Sequence, residues 1–330
     1  MEALPPSVTQ SLVLFLMMLA GFAAGKLGIL KGETVRSLSR FLLDFTLPAL
    51  VVISMQKPFS PELRDQALRV LGLSAVVYGA AFPLAYGLTA LYRRAPAAEK
   101  GVHRFAMCFS NVGFMGFPVA QSVLGPESLF MVSVYNIPFQ ILAFSVGIVL
   151  IRGAGPAAPA GAEVPSAAGR TRPASGRLGG ILAGAKAFMN PAVLAAVVGF
   201  ALFLLSIRIP EPLYSAMLLL GETTTPLAMA VIGAVLAGSK LGKVFANPRI
   251  WITTAYRLAL HPLIVYGLAA AFGLRGLELA VPVLIAAMPV AANTTILAGV
   301  YGGDEVSASG MVFISTILSL ASIPILGLIL

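Results

Sequence analysis

Asn111-Val112-Gly113-Phe114-Met115-Gly116-Phe117-Pro118 sits in the middle of an apolar run that extends from about Val102 to Leu124. The run has the length of a membrane-crossing helix, but its centre is not helix-forming. A glycine weakens a helix interior by about 1 kcal/mol. Pro118 lacks a backbone donor and its ring meets the carbonyl four residues back. Within a bilayer, broken backbone survives only when it is buried in protein or lines a wet cavity. The stretch therefore predicts a broken span whose interruption forms a binding site.

The rest of the chain agrees with a membrane environment. Its 330 residues have a mean hydropathy of +0.93, and only 11% are charged. Soluble domains carry about 25% charged residues. Uninterrupted apolar runs, rather than alternating ten-residue segments, indicate helices and not a barrel. The expected class is an all-α polytopic membrane protein embedded in the lipid bilayer. The single cysteine, Cys108, excludes an internal disulfide and a cysteine metal cluster, and reads as a small buried apolar side chain. The net charge of +9 is topological information and not a nucleic-acid signal. No Lys or Arg precedes the first apolar run, which argues against a cleaved signal peptide.

Ten spans are expected, at about 8–25, 37–55, 67–91, 102–124, 128–151, 191–207, 213–237, 250–272, 277–300 and 306–330. Between the fifth and sixth lies a segment rich in Ala, Gly, Pro and Arg that cannot bury a core. The organisation predicted is a first five-helix repeat over 1–151, a flexible linker over 152–187 and a second repeat over 188–330. Lys57, Arg64, Arg69, Arg208 and Arg275 fall on one side of the membrane, Arg257 falls inside a span, and the other sixteen of the 22 Lys and Arg fall on the opposite side. The positive-inside rule then puts both termini outside and the linker in the cytoplasm. The membrane expected is the bacterial inner, plasma membrane.

The halves echo each other. Asp44-Phe-Thr-Leu-Pro48 in span 2 matches Glu222-Thr-Thr-Thr-Pro226 in span 7. Pro83-Leu-Ala-Tyr86-Gly87 in span 3 corresponds to Pro262-Leu-Ile-Val-Tyr266-Gly267 in span 8. Spans 4 and 9 both carry Asn, Gly and Pro centrally. Five spans per copy is an odd number, so the second copy inserts upside down, an inverted repeat of the kind found in secondary transporters.

The Asn-x-x-x-Met-Gly-x-Pro pattern of Asn111 to Pro118 resembles the crossover segment of the auxin efflux carrier family, whose members include the plant carriers and bacterial malate or malonate permeases. Met288-Pro289-Val-Ala-Ala-Asn293, through Tyr301-Gly302, resembles the partner segment of the bacterial branch, and Tyr135-Asn136-Ile137-Pro138-Phe139 also fits. The resemblance covers the chain apart from the linker. It implies two inverted five-helix repeats, with broken helices 4 and 9 crossing near mid-membrane, and transport of a small organic anion. The anion expected is a mono- or dicarboxylate or an auxin-like acid; the span 9 sequence departs from the plant pattern, which argues against auxin itself.

Elementary chemistry reaches a similar site. The start of a helix exposes free amides that carry partial positive charge and attract anions. Pro118 suits the first turn of a second half-helix, and Asn293 could cap its counterpart. The substrate-binding candidates are Asn111, Gly113, Gly116, Pro118, Asn136, Gln140, Pro289, Asn293 and Thr294. Asp44 and Glu222 are the carboxylates well inside spans, and an intramembrane carboxylate is a functional candidate. Either could carry a coupling proton, help ligate sodium, or pair structurally with Arg257. No cofactor or metal centre is implied. Passive conduction of the anion and sensing of a small carboxylate are the alternatives to transport, and homodimerisation is compatible with all three. His-Glu-x-x-His, Gly-x-Ser-x-Gly and the nucleotide-binding Gly-x-x-x-x-Gly-Lys-Ser/Thr are all absent, which argues against an enzyme or an ATP-driven pump.

Overall fold

The computed structural model describes residues 6–143, 145–152, 191–238 and 244–329. The described residues are helical apart from short connections and one isolated β-bridge. In chain order the α-helices are α1 (Pro6–Lys26), α2 (Gly32–Phe41), α3 (Leu47–Ser54), α4 (Pro61–Ala90), α5 (Ala97–Cys108), α6 (Phe117–Leu124), α7 (Ser128–Ala143) and α8 (Val146–Arg152). They continue with α9 (Pro191–Leu204), α10 (Leu213–Glu222), α11 (Thr224–Gly238), α12 (Pro248–Ala255), α13 (His261–Ala271), α14 (Leu277–Ala286), α15 (Asn293–Tyr301) and α16 (Glu305–Gly327). The predicted linker lies outside the described residues except for Arg152, which ends α8 and stacks over the Tyr301 ring at 4.8 Å.

Four stretches are long and apolar enough to cross a membrane: Gly32–Ser54, Pro61–Ala90, Leu213–Gly238 and Glu305–Gly327. The pair α7–α8, bent by 43°, supplies a fifth if it is counted as one span. Two further apolar runs are divided by breaks. The run containing Asn111 divides into α5 and α6, and the run containing Pro289 divides into α14 and α15.

Three π-helical turns, Leu42–Thr46, Val112–Gly116 and Tyr256–Leu260, share one cause. Each ends two residues before a proline: Pro48, Pro118 and Pro262. In a regular helix the proline ring would meet the carbonyl four residues back. Widening the preceding turn moves that carbonyl away. The amides of Leu47, Phe117 and His261 accordingly donate five residues back, to Leu42 O, Val112 O and Tyr256 O. Such turns are concentrated at functional sites. Glu222 and Pro226 flank a milder interruption at Thr223, between α10 and α11. By contrast Pro83 lies within the continuous α4, so the predicted likeness between Pro83 and Pro262 does not extend to local geometry.

Packing follows small residues. α1 lies against α11 so closely that a Cβ on Gly21 would overlap the Ala230 carbonyl, and one on Gly233 the Met18 carbonyl. Lipid offers no less apolar surroundings than a neighbouring helix, so close van der Waals approach drives such contacts. α3 packs on α9 and α10, and α7 joins α4 to α9.

Polar contacts sort the connections between two ends of the molecule. At one end, Gln56 Oε1 accepts from Ile209 N at 2.9 Å, Lys57 Nζ reaches Glu127 O at 3.5 Å, and Arg69 grips Glu278 through two bonds of 2.8 Å. At the other, buried Glu99 accepts from Arg249 Nη1 at 2.8 Å and Asn247 Nδ2 at 2.9 Å. Beside it Thr253 Oγ1 meets His103 Nδ1 at 2.6 Å and the Tyr92 hydroxyl at 3.2 Å. Burial pushes the Tyr92 phenol above its ordinary pKa, and the bond to Thr253 opposes that shift. This network fixes α5 to the start of α12. Glu99→Ala leaves the Arg249 and Asn247 donors without their acceptor and is expected to cost about 2 kcal/mol, read as a lowered melting temperature in nanodiscs.

Candidate functional site

The two interrupted helices meet at their breaks. Asn111 N donates to Pro289 O at 2.8 Å, and Ala291 N donates to Phe109 O at 3.3 Å. Ser110 and Val290 thus form an antiparallel bridge between two strands of unwound backbone. Buried backbone must find partners, and at this crossing each break supplies the other's. Val290 N takes a third acceptor, Ser315 Oγ, at 3.0 Å. Gly116 keeps the halves close, since a Cβ there would lie 3.0 Å from Ile285 Cδ1.

The crossing has opposite polarity on its two sides. α5 and α14 end there, presenting carbonyls. Arg257, on the π-turn before Pro262, is 1% exposed and inserts between them. Its Nη1 donates to Met107 O at 3.0 Å and its Nε to Met288 O at 3.2 Å. A guanidinium thus satisfies both helix C-termini and opposes their partial negative charge. Among the described residues Arg257 makes no ion pair with a carboxylate. The structural pairing with Asp44 or Glu222 is therefore not what holds it.

On the other side the second halves begin, presenting amides. Among the described residues the amides of Gly113, Phe114 and Asn293 have no backbone acceptor, because no earlier turn precedes them. All three residues line a cavity of about 40 Å³ together with Ser110, Asn111 and Gln140. Leu43 and Ala192 close it from the helices facing the crossing, and Phe139 closes it from α7. The amide of Phe117 bonds to Val112 O, so the Gly113 carbonyl also loses its usual donor. A cavity with converging N–H groups and no carboxylate among its lining residues favours an anion. Its volume is well below the roughly 300 Å³ of an ordinary ligand pocket, so the walls must part to admit an organic molecule.

Of the predicted binding residues, Asn111, Gly113, Gln140 and Asn293 come together on this wall. Gly116, Pro118 and Pro289 build the crossing without lining the cavity. Asn136 is buried one turn before Gln140, with its Oδ1 unpartnered. Thr294 turns its hydroxyl onto Ala291 O at 2.6 Å. Asn293 is the first residue of α15 rather than its cap; Ala292 holds the cap position and offers no side-chain acceptor. Ser110, Phe114 and Phe139 were legible only as neighbours of predicted residues. Leu43 and Ala192 give no sequence signal.

The intramembrane carboxylates differ in setting. Asp44 lies on the π-turn beside Leu43, half-buried, with Oδ1 enclosed and unpartnered, and with Arg40 as its electrostatic neighbour. Glu222 is exposed at the end of α10. Their matching sequence motifs, each a carboxylate four residues before a proline, do not distinguish these settings.

The family model described as "Membrane transport protein" matches residues 6–326. The chain belongs to this family. The resemblance to auxin efflux carriers read from Asn111 to Pro118 is thereby borne out. Among its relatives, a protein of Rhizobium meliloti named "Putative malonate transporter" is 28% identical over 314 residues, covering 94% of this chain and 91% of the relative. A protein of Methanothermobacter thermautotrophicus named "Uncharacterized transporter" is 25% identical over 325 residues, 98% of each. The Escherichia coli K12 transporter YfdV is 23% identical over 290 residues, covering 87% and 86%. Family membership and the relatives' names are those of membrane transporters.

Arg257 is the residue on which the crossing's geometry depends. Arg257→Met removes both donors and leaves two buried carbonyls unsatisfied, an expected loss of about 2–5 kcal/mol. Arg257→Lys keeps the charge without the fork and is expected to fall between that variant and the parent. Thermal unfolding in nanodiscs gives the order.

Proposed function

We propose that this protein is a secondary transporter that carries a small organic anion, a mono- or dicarboxylate, across the plasma membrane. The single observation carrying this reading is the set of acceptor-free amides of Gly113, Phe114 and Asn293 around one cavity at the crossing. They offer a carboxylate hydrogen bonds and the positive ends of two helices without requiring a lysine. Asn111, Asn293 and Gln140 add side-chain amides. The malonate in one relative's name makes that dianion the first substrate to try.

Alternating access is the mechanism consistent with a cavity too small for its ligand. The crossing, held by Arg257 and the paired backbone, moves as one body. The walls carrying Leu43 and Ala192 belong to helices outside it. Sliding one group past the other opens the cavity to alternate sides without breaking the bridge. A ten-crossing, inverted-repeat topology is the proposed frame for that motion. Its support is the pair of broken helices and the interruptions at Leu42–Thr46 and Thr223. The end holding Glu99, Arg152 and Arg249 faces the cytoplasm in this frame, as does the linker, and both termini lie outside.

Asp44 is the proposed coupling carboxylate, for a proton or a sodium ion. It adjoins cavity-lining Leu43 and has an enclosed oxygen free to accept. Glu222, being exposed, is the weaker candidate, and Arg257 serves the scaffold. No enzymatic step is proposed.

Reconstituted protein is expected to accumulate radiolabelled malonate or another small carboxylate under an imposed proton or sodium gradient. Asn111→Ala is expected to reduce uptake at least tenfold with folding intact; normal uptake by this variant would refute the central site. Asp44→Asn is expected to abolish gradient-driven accumulation while leaving exchange of substrate across the membrane, whereas Glu222→Gln retains both. The reverse pattern would move coupling to Glu222.

A further inference from the structure

A second cavity, about 280 Å³, lies between the turns that follow α3 and α9. It is much the larger of the two, and nothing in the crossing accounts for it. Two of its lining residues are the cations Lys57 and Arg208. Of the five cations counted at this end of the chain, Arg64 is held by Asp65 and Arg69 by Glu278, each at 2.8 Å. Among the described residues, neither Lys57 nor Arg208 has a carboxylate within ion-pair distance. The carboxylates on adjoining turns are engaged elsewhere. Glu211 Oε2 accepts from Ser215 N at 3.2 Å, and the Glu127 side chain folds back over Gly125. Lys57 uses one donor on Glu127 O and has others available. This is the cation-poor side of the membrane by the positive-inside rule. Arg275 on this side is likewise without a carboxylate partner among the described residues, but Lys57 and Arg208 share the lining of one cavity, and that juxtaposition is what topology does not explain.

Ser206 supplies an independent indication. α9 ends with Ser206 N bonded to Phe203 O at 3.1 Å and Ile207 N bonded to Leu202 O at 2.9 Å. This termination needs a left-handed residue, usually glycine. Ser206 occupies it with φ of 56°, the sole positive φ at a non-glycine among the described residues. A strained serine stands in place of glycine among the residues lining the cavity. The rest of the lining includes a firm apolar part: Phe203 is buried and packs on Phe59 and Phe130, with ring centroids 5.5 and 5.1 Å apart. Two cations, a serine and buried hydrocarbon around one cavity suit a small organic carboxylate.

The walls of this cavity continue to the crossing. Gly32–Ser54 contributes Leu43 to the central cavity and runs on to Met55 at the second, and α9 runs from Ala192 to Leu202. Ten residues along α9 correspond to roughly 15 Å. We propose that the second cavity is a capture site that binds the carboxylate substrate at the outer mouth of the path to the crossing. The proposal rests on the anion-transport reading for the word substrate, but the carboxylate site itself can be tested without it.

The test uses the full chain in nanodiscs and proteoliposomes, with malonate and acetate as probes. Asn111→Ala protein is expected to retain carboxylate binding in equilibrium dialysis, and adding Lys57→Gln and Arg208→Gln is expected to remove it. In otherwise unaltered protein, the Lys57→Gln/Arg208→Gln pair is expected to raise KM about three- to tenfold at unchanged maximal rate and to flatten its dependence on ionic strength. Ser206→Gly is expected to raise the melting temperature yet also raise KM, a combination that a purely structural serine would not give. Binding that survives loss of both cations, or an unaltered KM, overturns the capture site and leaves the crossing untouched. Binding by Asn111→Ala protein that depends on both cations upholds the carboxylate site even if no carboxylate is transported. Cation-dependent retention of an anionic phospholipid, with no carboxylate bound, also overturns the proposal.

Discussion

Two broken helices can cross inside a membrane only if their exposed backbone is satisfied on the spot. Here the requirement is met by one arginine and by the breaks themselves. Arg257 donates to Met107 O and Met288 O, and Phe109–Asn111 pairs with Pro289–Ala291. The carbonyl ends of α5 and α14 are thereby occupied on one side of the crossing. The amide ends leading into α6 and α15 remain available on the other. The proposed preference for an anion rests on that sorting. A cation placed among the carbonyls at the ends of the first half-helices leaves the amides of the second half-helices to face the cavity, beside the Gly113 carbonyl.

The prolines prepare the chain for this arrangement. Each π-turn lets the helix absorb a residue with no N–H and leaves a carbonyl without its usual donor, as at Gly113. One such turn carries Arg257, one forms the floor of the anion cavity, and one places Leu43 on its wall with Asp44 alongside. The same backbone device is therefore used for the cation, for the binding amides and for the facing wall.

Much of the crossing was legible beforehand. Asn111 and Gly113 could be found because a break in an apolar run has few physical excuses, and Asn293 because its surroundings mirror the first break. The functions of buried charges were not legible. A sequence shows that Arg257 lies in a span but not that its partners are carbonyls 150 and 31 residues away. The sequence likewise sets Asp44 and Glu222 in similar motifs, yet one is enclosed and the other exposed, because exposure depends on which helices pack alongside. Apolar wall residues such as Ala192 carry no signal, since their contribution is only where they stand.

Residue chemistry alone determined that the chain belongs in a bilayer, that its helices break near Pro118 and Pro289, and that the start of a broken half-helix carries partial positive charge. These follow from hydropathy, from the missing proline donor and from the dipole of a helix start, all local properties. The tertiary structure decided which end of each half-helix faces the cavity, which charge is neutralised by backbone, and how two cations and a strained serine come to share a second cavity. Those are properties of distance between segments remote in sequence, and no local pattern encodes them.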